Sequence, residues 1–235
     1  MTQTPTCAWH PDRETWVSCS RCGAPICPNC MNQAPVGFHC PNCIAEGKRT
    51  VRQIKNRTTP VTSTIIGICV AAFLASFVFP DLWLDYGVAG VAIFEWGEYY
   101  RLVTAMFLHG GIVHIAFNML ILHQLGTQLE LFLGSKKFAL IYFVAGIAGS
   151  FASATFNDAY TVSVGASGAI FGLMGAYFVV AKSIRFDTSY IVGMIGLNLV
   201  IGFIVPNIDW HAHLGGLLAG AAIAGVIHRV FPSWG

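Results

Sequence analysis

Six apolar runs fill most of the chain after residue 60, and they restrict the possible folds more than any other feature. The runs cover residues 61–79, 102–122, 138–155, 162–181, 190–206 and 212–230. An α-helix rises about 1.5 Å per residue and a bilayer core is about 30 Å thick, so such runs are typical of transmembrane helices. Only 10% of the 235 residues are charged, against about 25% in soluble domains. The sequence predicts an all-α membrane protein with six spans in residues 61–231.

Positive charges lie almost entirely on one side of the predicted spans. Ten of the eleven basic residues after Gly47 fall on that side, and Arg101 is the exception. Since basic loops stay in the cytosol, the pattern predicts a multi-pass protein of the cell membrane with both termini cytoplasmic. A net charge of +2 gives no indication of nucleic-acid binding. Five of the basic residues form a linker over residues 48–60: Lys48, Arg49, Arg52, Lys55 and Arg57.

Residues 1–47 have a different chemistry, because seven of the eight cysteines lie there. The polar start of the chain lacks the pattern of a signal peptide. Pairs of ligands two residues apart are typical of zinc sites, and eight ligands complete two tetrahedral ions with no open position, which indicates structural zinc. The alternative, a disulfide-rich secreted module, conflicts with the predicted cytosolic location. The pairs are Cys7 and His10, Cys19 and Cys22, Cys27 and Cys30, and Cys40 and Cys43.

The spacing of these ligands resembles that of B-box-like zinc-binding modules. The resemblance implies an interleaved pairing, in which the first and third pairs bind one ion and the second and fourth bind the other. The sequence alone leaves the pairing open, because His39 could replace Cys40 as a ligand. A module of this kind could also bind another protein.

Three polar residues in the apolar runs share one predicted depth in the bilayer. Each lies fifteen or sixteen residues from a cytosolic polar anchor: Ser167 before Lys182, His213 before Arg229, and His114 before Glu130. This spacing corresponds to about 22–24 Å above the cytosolic face. Asn118 follows His114 by one helical turn. Intramembrane His and Asn normally face a protein interior or a water-filled cavity, so these residues form a candidate site, although small residues near Ser167 could also serve only to pack helices.

Several motifs together resemble the rhomboid family of intramembrane serine proteases. They are Gly165-Ala166-Ser167-Gly168, His109-x4-His114-x3-Asn118, Ala212-His213-Leu214-Gly215-Gly216, Tyr100-Arg101 and Glu130. The resemblance covers about residues 62–230 and implies a six-helix rhomboid-like bundle. Two positions depart from the family pattern: Phe171 stands where some members have Tyr, and Phe132 where some have Arg.

The resemblance also implies a mechanism. Ser167 would be the nucleophile and His213 its base, with no acidic third residue and no cofactor for catalysis. His114, Asn118 and backbone N–H groups near Ala166 and Ser167 would stabilise the oxyanion. His109 would line a water-filled cavity, and Phe171 would stack on the histidine ring. Substrates would be transmembrane proteins cut near the external end of a helix, after a small residue.

Two other classes of function remain open from the sequence. One is a catalytically silent rhomboid-like protein that binds membrane clients. The other is a metal transporter built on the membrane histidines. The remaining polar residues and Cys69 are predicted to lie outside the catalytic set. His123 and His228 are predicted at the interface, Cys69 in the core and Asp209 at a helix mouth, and His211 would contact water or tune substrate entry.

Overall fold

The computed structural model of the protein describes residues 4–34, 36–47, 58–205 and 208–230. The chain divides into two compact units, Met1–Thr58 and Thr59–Gly235. The division falls inside the predicted linker over residues 48–60. The five basic residues of that linker lie outside the described residues.

The N-terminal unit is made of very short elements. Strand β1 (Thr6–Cys7) pairs antiparallel with β2 (His10–Glu14), β3 (Asn32–Gln33) pairs antiparallel with β4 (Phe38–His39), and residues 41–47 form helix α1. Its buried apolar cluster consists of Ile26 and six of the cysteines. A core this small is of the size at which domains usually need a metal or disulfides to fold.

The described part of the second unit is mainly helical, as the sequence predicts. Its long helices are α2 (Pro60–Ala75), α6 (Ile112–Ile121), α7 (Thr127–Leu133), α8 (Ser135–Phe156), α9 (Ser167–Ser183), α10 (Ser189–Ile204) and α11 (Trp210–Val230). Three short helices lie between α2 and α6: α3 (Leu82–Tyr86), α4 (Gly90–Phe94) and α5 (Arg101–Thr104). Within the described ranges, α8 and α11 have the length and composition to cross a membrane, and α2, α9 and α10 are shorter apolar helices.

The predicted span over residues 102–122 is not one continuous helix. The segment Arg101–Phe107 lies at 93° to a second helical segment, Ile112–Leu133, and the two together form a third candidate span. The chain becomes extended at Leu108 and passes through two glycines before α6 begins. One π-helical turn, Leu122–Gly126, then joins α6 to α7. The apolar character of the sequence continues across the bend, so hydropathy alone does not reveal it.

Buried charged residues fix both ends of this broken helix. Arg101 is buried and donates to the carbonyls of Leu84 and Gly87 and to the carboxylate of Glu98. These contacts hold the loop before α5 and compensate the positive charge of Arg101, which is the exception to the positive-inside pattern.

Glu130 performs a similar task at the other end. Its buried carboxylate accepts hydrogen bonds from the backbone N–H groups of Val61 and Thr62 at 3.0 and 2.8 Å, and from the Ser135 hydroxyl at 2.7 Å. The first two are otherwise unsatisfied donors in the first turn of α2. One side chain therefore joins α2, α7 and the start of α8.

Helix α9 forms the centre of the unit, packed against α8 and α11. Nine consecutive residues, Gly168–Ala176, are buried, so α9 is enclosed on all sides over more than two turns. Glycines allow this. A Cβ at Gly216 of α11 would overlap the carbonyl of Gly168, and one at Gly220 would overlap the carbonyl of Gly172. The two helices therefore approach through their backbones, as small residues permit in membrane proteins.

This close backbone approach predicts that alanine substitutions at two glycines of α11 differ sharply in their effect on stability. We expect Gly220→Ala to lower the free energy of unfolding by about 1–3 kcal/mol, because the added methyl group has no space. Gly225→Ala is the matched control, since no atom lies within 4 Å of a Cβ there. Unfolding of both variants in detergent can be followed by circular dichroism, and equal stabilities would contradict the packing.

Candidate active site

Ser167 is the first residue of α9. The predicted helical run over residues 162–181 is wrong in its first five residues, which are not helical: Ser163 forms a β-bridge with Val88, and the N–H of Gly165 donates to the carbonyl of Ala105 at 2.9 Å. This extended segment ends at Ala166, which is fully buried. Ser167 therefore lies at a helix N-terminus, where free backbone N–H groups and the helix dipole favour negative charge.

The hydroxyl of Ser167 and the imidazole of His213 are in hydrogen-bond contact. The distance from Ser167 Oγ to His213 Nε2 is 3.0 Å. His213 is buried, and its ring stacks on Phe171 with centroids 4.2 Å apart and planes 10° from parallel. Because the stack fixes the ring, Nε2 points at the hydroxyl. If Nε2 accepts the serine proton, the neutral ring carries its hydrogen on Nδ1.

His114 lies beside the same serine because of Gly165. Gly165 has φ of 138°, in the region that favours glycine, and a Cβ there would lie 2.8 Å from His114 Nε2 and 3.7 Å from Ser167 Oγ. A side chain at this position would therefore displace His114. The motif alone does not reveal this role of Gly165, although a glycine two residues before a candidate nucleophile is a usable signal.

His109 and Asn118 surround His114. The His109 ring is buried and meets the His114 ring edge-on, with centroids 5.1 Å apart. Asn118 is also buried, and its amide nitrogen donates to the carbonyl of His114 at 2.9 Å. One of the two amide hydrogens of Asn118 is thus used within α6, and the other has no hydrogen-bond partner among the described residues.

Asp209 is not part of a triad in this structure. Its carboxylate accepts from the N–H of Ala212 at 3.0 Å and from the hydroxyl of Ser153. His213 Nδ1 has no hydrogen-bond partner among the described residues. The acid therefore caps α11 rather than holding the imidazole.

His211 is tied to α8 rather than turned to solvent alone. Its Nδ1 lies 2.7 Å from Asn157 Oδ1, and its ring stacks on Phe156. Sequence reasoning missed Ser153 and Asn157, because nothing local marks a partner more than fifty residues away. Among the other discounted residues, Cys69 lies in the core as predicted.

The eight predicted metal ligands form two clusters in the N-terminal unit. Within each cluster, one ligand atom from every residue lies within 4.8 Å of the others, and the grouping is the interleaved one. His39 belongs to neither and pairs with Asn32 in the second hairpin. The first cluster is Cys7, His10, Cys27 and Cys30, and the second is Cys19, Cys22, Cys40 and Cys43.

Distances within the clusters fit tetrahedral zinc. Typical zinc–ligand bonds imply edges of roughly 3.6 Å from nitrogen to sulfur and roughly 3.8 Å between sulfurs. His10 Nδ1 lies 3.3 Å from Cys30 Sγ, 3.4 Å from Cys27 Sγ and 3.8 Å from Cys7 Sγ. In the second cluster, Cys22 Sγ and Cys40 Sγ are 3.7 Å apart.

The pKa values of the clustered thiols also indicate a site for a cation. Burial raises the pKa of Cys30, and its neighbours Cys27 and Cys7 raise it further, to about 11. Burial also raises the pKa of Cys7, but backbone N–H groups of Cys27 and Trp9 and the His10 side chain outweigh it and lower the value to about 6. Crowded thiols of one cluster therefore cannot all ionise easily without a positive ion between them.

Comparison with known proteins gives a family match over the membrane unit. Residues 96–230, more than half of the chain, match the sequence profile of the Rhomboid domain. Rhomboid protease GluP of Bacillus subtilis (strain 168) is 45% identical over 140 residues, which is 57% of this chain and 27% of GluP. The putative rhomboid protease YdcA of the same organism is 32% identical over 157 residues, 59% of this chain and 79% of YdcA.

A plant relative shows a similar likeness. RHOMBOID-like protein 1 of Arabidopsis thaliana is 33% identical over 189 residues, covering 71% of this chain and 47% of the relative. The chain thus spans less than two thirds of GluP and of this plant protein.

The clusters predict two zinc ions per chain, measurable by elemental mass spectrometry under reducing conditions. We expect the double variant Cys19→Ser, Cys22→Ser to retain at most one ion and to lose the folded N-terminal unit. Cys69→Ala, a cysteine outside both clusters, should keep two ions. A wild-type protein without zinc, or with disulfides among these cysteines, would contradict the assignment.

Proposed function

The chain belongs to the rhomboid family, and from this membership and its site we propose that it is an intramembrane serine protease with Ser167 and His213 as the catalytic dyad. The observation that carries the proposal is the 3.0 Å contact between Ser167 Oγ and His213 Nε2. A serine hydroxyl needs a base within hydrogen-bond reach to become a nucleophile. Protease relatives in Bacillus subtilis support the same activity.

In the first step, Ser167 Oγ attacks the carbonyl carbon of the scissile peptide bond. Its proton moves to His213 Nε2, and the carbonyl oxygen becomes an oxyanion. Collapse of this intermediate breaks the C–N bond, while His213 returns the proton to the leaving amine. An ester between Ser167 and the N-terminal part of the substrate remains. The stack of His213 on Phe171 supports this role because it holds the ring in one orientation.

The oxyanion needs hydrogen-bond donors placed in advance. His114 packs against Gly165 next to the nucleophile, and the first N–H groups of α9 lie at Ser167. We assign His114, the free amide hydrogen of Asn118 and the backbone N–H groups that follow Ala166 to this task. One such donor in a site shielded from water can contribute about 10² to 10³ in rate.

Water must reach the ester to complete the reaction. His213 removes a proton from a water molecule, the hydroxide attacks the ester carbonyl, and Ser167 leaves with the proton. His109 supports a polar path, because it is buried beside His114 and neither of its ring nitrogens has a partner among the described residues. Intramembrane histidines normally face a protein interior or a water-filled cavity.

The proposed substrates are membrane proteins with a transmembrane helix that can unwind at its external end. A peptide bond inside a helix is shielded, and its carbonyl already accepts a hydrogen bond, so the segment must become extended before Ser167 can attack it. We propose a six-span topology with cytosolic termini and a small residue before the cleaved bond.

The N-terminal clusters fit two structural zinc ions, one held by each set of four ligands. Closed tetrahedral sites supply folding energy rather than a reactive position. We therefore assign zinc to the stability of the cytosolic unit, with proteolysis carried by the membrane unit alone.

A silent protein that binds membrane clients is the rival function. The printed name of the plant relative, RHOMBOID-like protein 1, does not call it a protease. The contact between Ser167 and His213 favours the enzyme, because a binding protein has no need of that pair.

Substitution of the nucleophile separates these functions. We expect Ser167→Ala to leave the fold unchanged and to abolish cleavage of transmembrane substrates, because no other group can form the ester. Ser183→Ala at the other end of α9 is the matched control and should cleave normally. Cleavage products in membranes that contain each variant can be compared by proteomics. If Ser167→Ala membranes yield the wild-type products, the protein is not a serine protease with this nucleophile.

A further inference from the structure

A chain of polar contacts joins the external ends of α8 and α11 beside His213. Asp209 accepts from the Ser153 hydroxyl of α8 and from the N–H of Ala212 at 3.0 Å. Asn157 donates from its amide nitrogen to Ser153 Oγ at 3.1 Å and meets His211 Nδ1 through its oxygen at 2.7 Å. Four side chains at the ends of two helices thus meet one turn before the imidazole of the candidate dyad.

These contacts fix the first turn of α11. The first N–H groups of a helix lack partners within the helix, so a side-chain acceptor just before it fixes where the helix begins. Asp209 supplies that acceptor to Ala212, while its backbone carbonyl accepts from the N–H of His213 at 3.3 Å. Ser153 holds the carboxylate from α8. The position of His213 therefore depends on a side chain that is itself held by another helix.

We propose that Asp209 is a positioning residue for His213, acting through the cap of α11 and the Ser153–Asn157–His211 contacts. The inference rests on the proposed protease function. Asp209 does not bind the imidazole: its carboxylate is engaged by Ser153 and Ala212, and His213 Nδ1 has no partner among the described residues. The role is geometric, and the negative charge of Asp209 is not required for it.

Substitution of Asp209 by Asn or by Ala distinguishes the effect of the helix cap from the effect of the negative charge. Asn caps helices about as well as Asp, whereas Ala has no acceptor. Asp209→Asn keeps an oxygen for the Ala212 N–H and removes the charge, and Asp209→Ala removes both. Among the neighbours of His213, Asp209 and His114 are the groups whose ionisation could move its pH profile, so the variants are compared at a pH high enough to keep the imidazole neutral in each.

The experiment measures the reaction of the full-length protein with an alkyl fluorophosphonate, which forms an adduct only with an activated serine. We expect Asp209→Ala to lower the maximal inactivation rate by about tenfold to a hundredfold with little change in the half-saturating concentration, since small misplacements of catalytic groups have effects of this size. At that pH, Asp209→Asn should restore the rate. Ser153→Ala, which removes one contact and keeps the cap, should give a smaller loss.

Asp187→Ala is the matched control. Asp187 accepts from the N–H of Ser189 at 2.9 Å just before α10, so its loss removes an aspartate contact beside the start of a different helix. It should react as the wild type does. Equal losses in Asp209→Asn and Asp209→Ala at that pH would overturn the geometric role, and so would an unchanged rate in Asp209→Ala.

Hydrogen exchange distinguishes this inference from the proposed function. We expect the amides of Ala212 and His213 to exchange faster in Asp209→Ala than in Asp209→Asn, whether or not the protein is active. Unchanged exchange would overturn the cap. A wild-type protein that reacts with the probe no faster than Ser167→Ala would instead overturn the protease function, and with it any role of Asp209 in catalysis.

Discussion

The close approach of α9 and α11 is the constraint on which the site depends. A serine side chain is short, so its hydroxyl can reach an imidazole on another helix only when the two backbones nearly touch. Gly216 and Gly220 permit this, because carbonyls of α9 occupy the space that their side chains would fill. Helix packing in lipid gains little from the hydrophobic effect and depends on such fits between surfaces. The packing that stabilises the bundle therefore also sets the distance between Ser167 and His213.

Charged side chains within the apolar unit are stabilised by hydrogen bonds to nearby backbone groups. Arg101, Glu130 and Asp209 are each held by backbone groups at the end of a helix, where unsatisfied N–H or carbonyl groups occur anyway. His213 differs, because its Nδ1 has no partner in the described part of the chain. The imidazole of His213 is held by its stack on Phe171 and by one hydrogen bond, so it can accept the Ser167 proton at Nε2 with no carboxylate bound to Nδ1. The N-terminal unit has no large apolar core, and its buried cluster consists mostly of cysteines.

Much of this arrangement can be predicted from the sequence, and the exceptions have physical causes. Ser167 and His213 follow from residue types and a count of depth along each helix. The eight ligands follow from their spacing, and their interleaved pairing follows from the resemblance to B-box-like modules. The bend before α6 does not follow, since Leu102–Phe107 is as apolar as a span, although Gly110 and Gly111 are a usable signal for a break. The start of α9 at Ser167 cannot be predicted either, because the apolar run begins at Val162, before the helix does. The partners of Asp209 and His211 lie on α8, and contacts between distant segments leave no local pattern.

The most direct test of the account is to map the site of fluorophosphonate modification in the protein embedded in a bilayer, by mass spectrometry of its peptides. The proposed mechanism requires one hydroxyl to be activated by one imidazole at a water-accessible position within the membrane. It predicts a single adduct, on Ser167, that disappears in a folded His213→Ala variant. An adduct distributed over several serines, or one on Ser167 that forms equally well without His213, would contradict it.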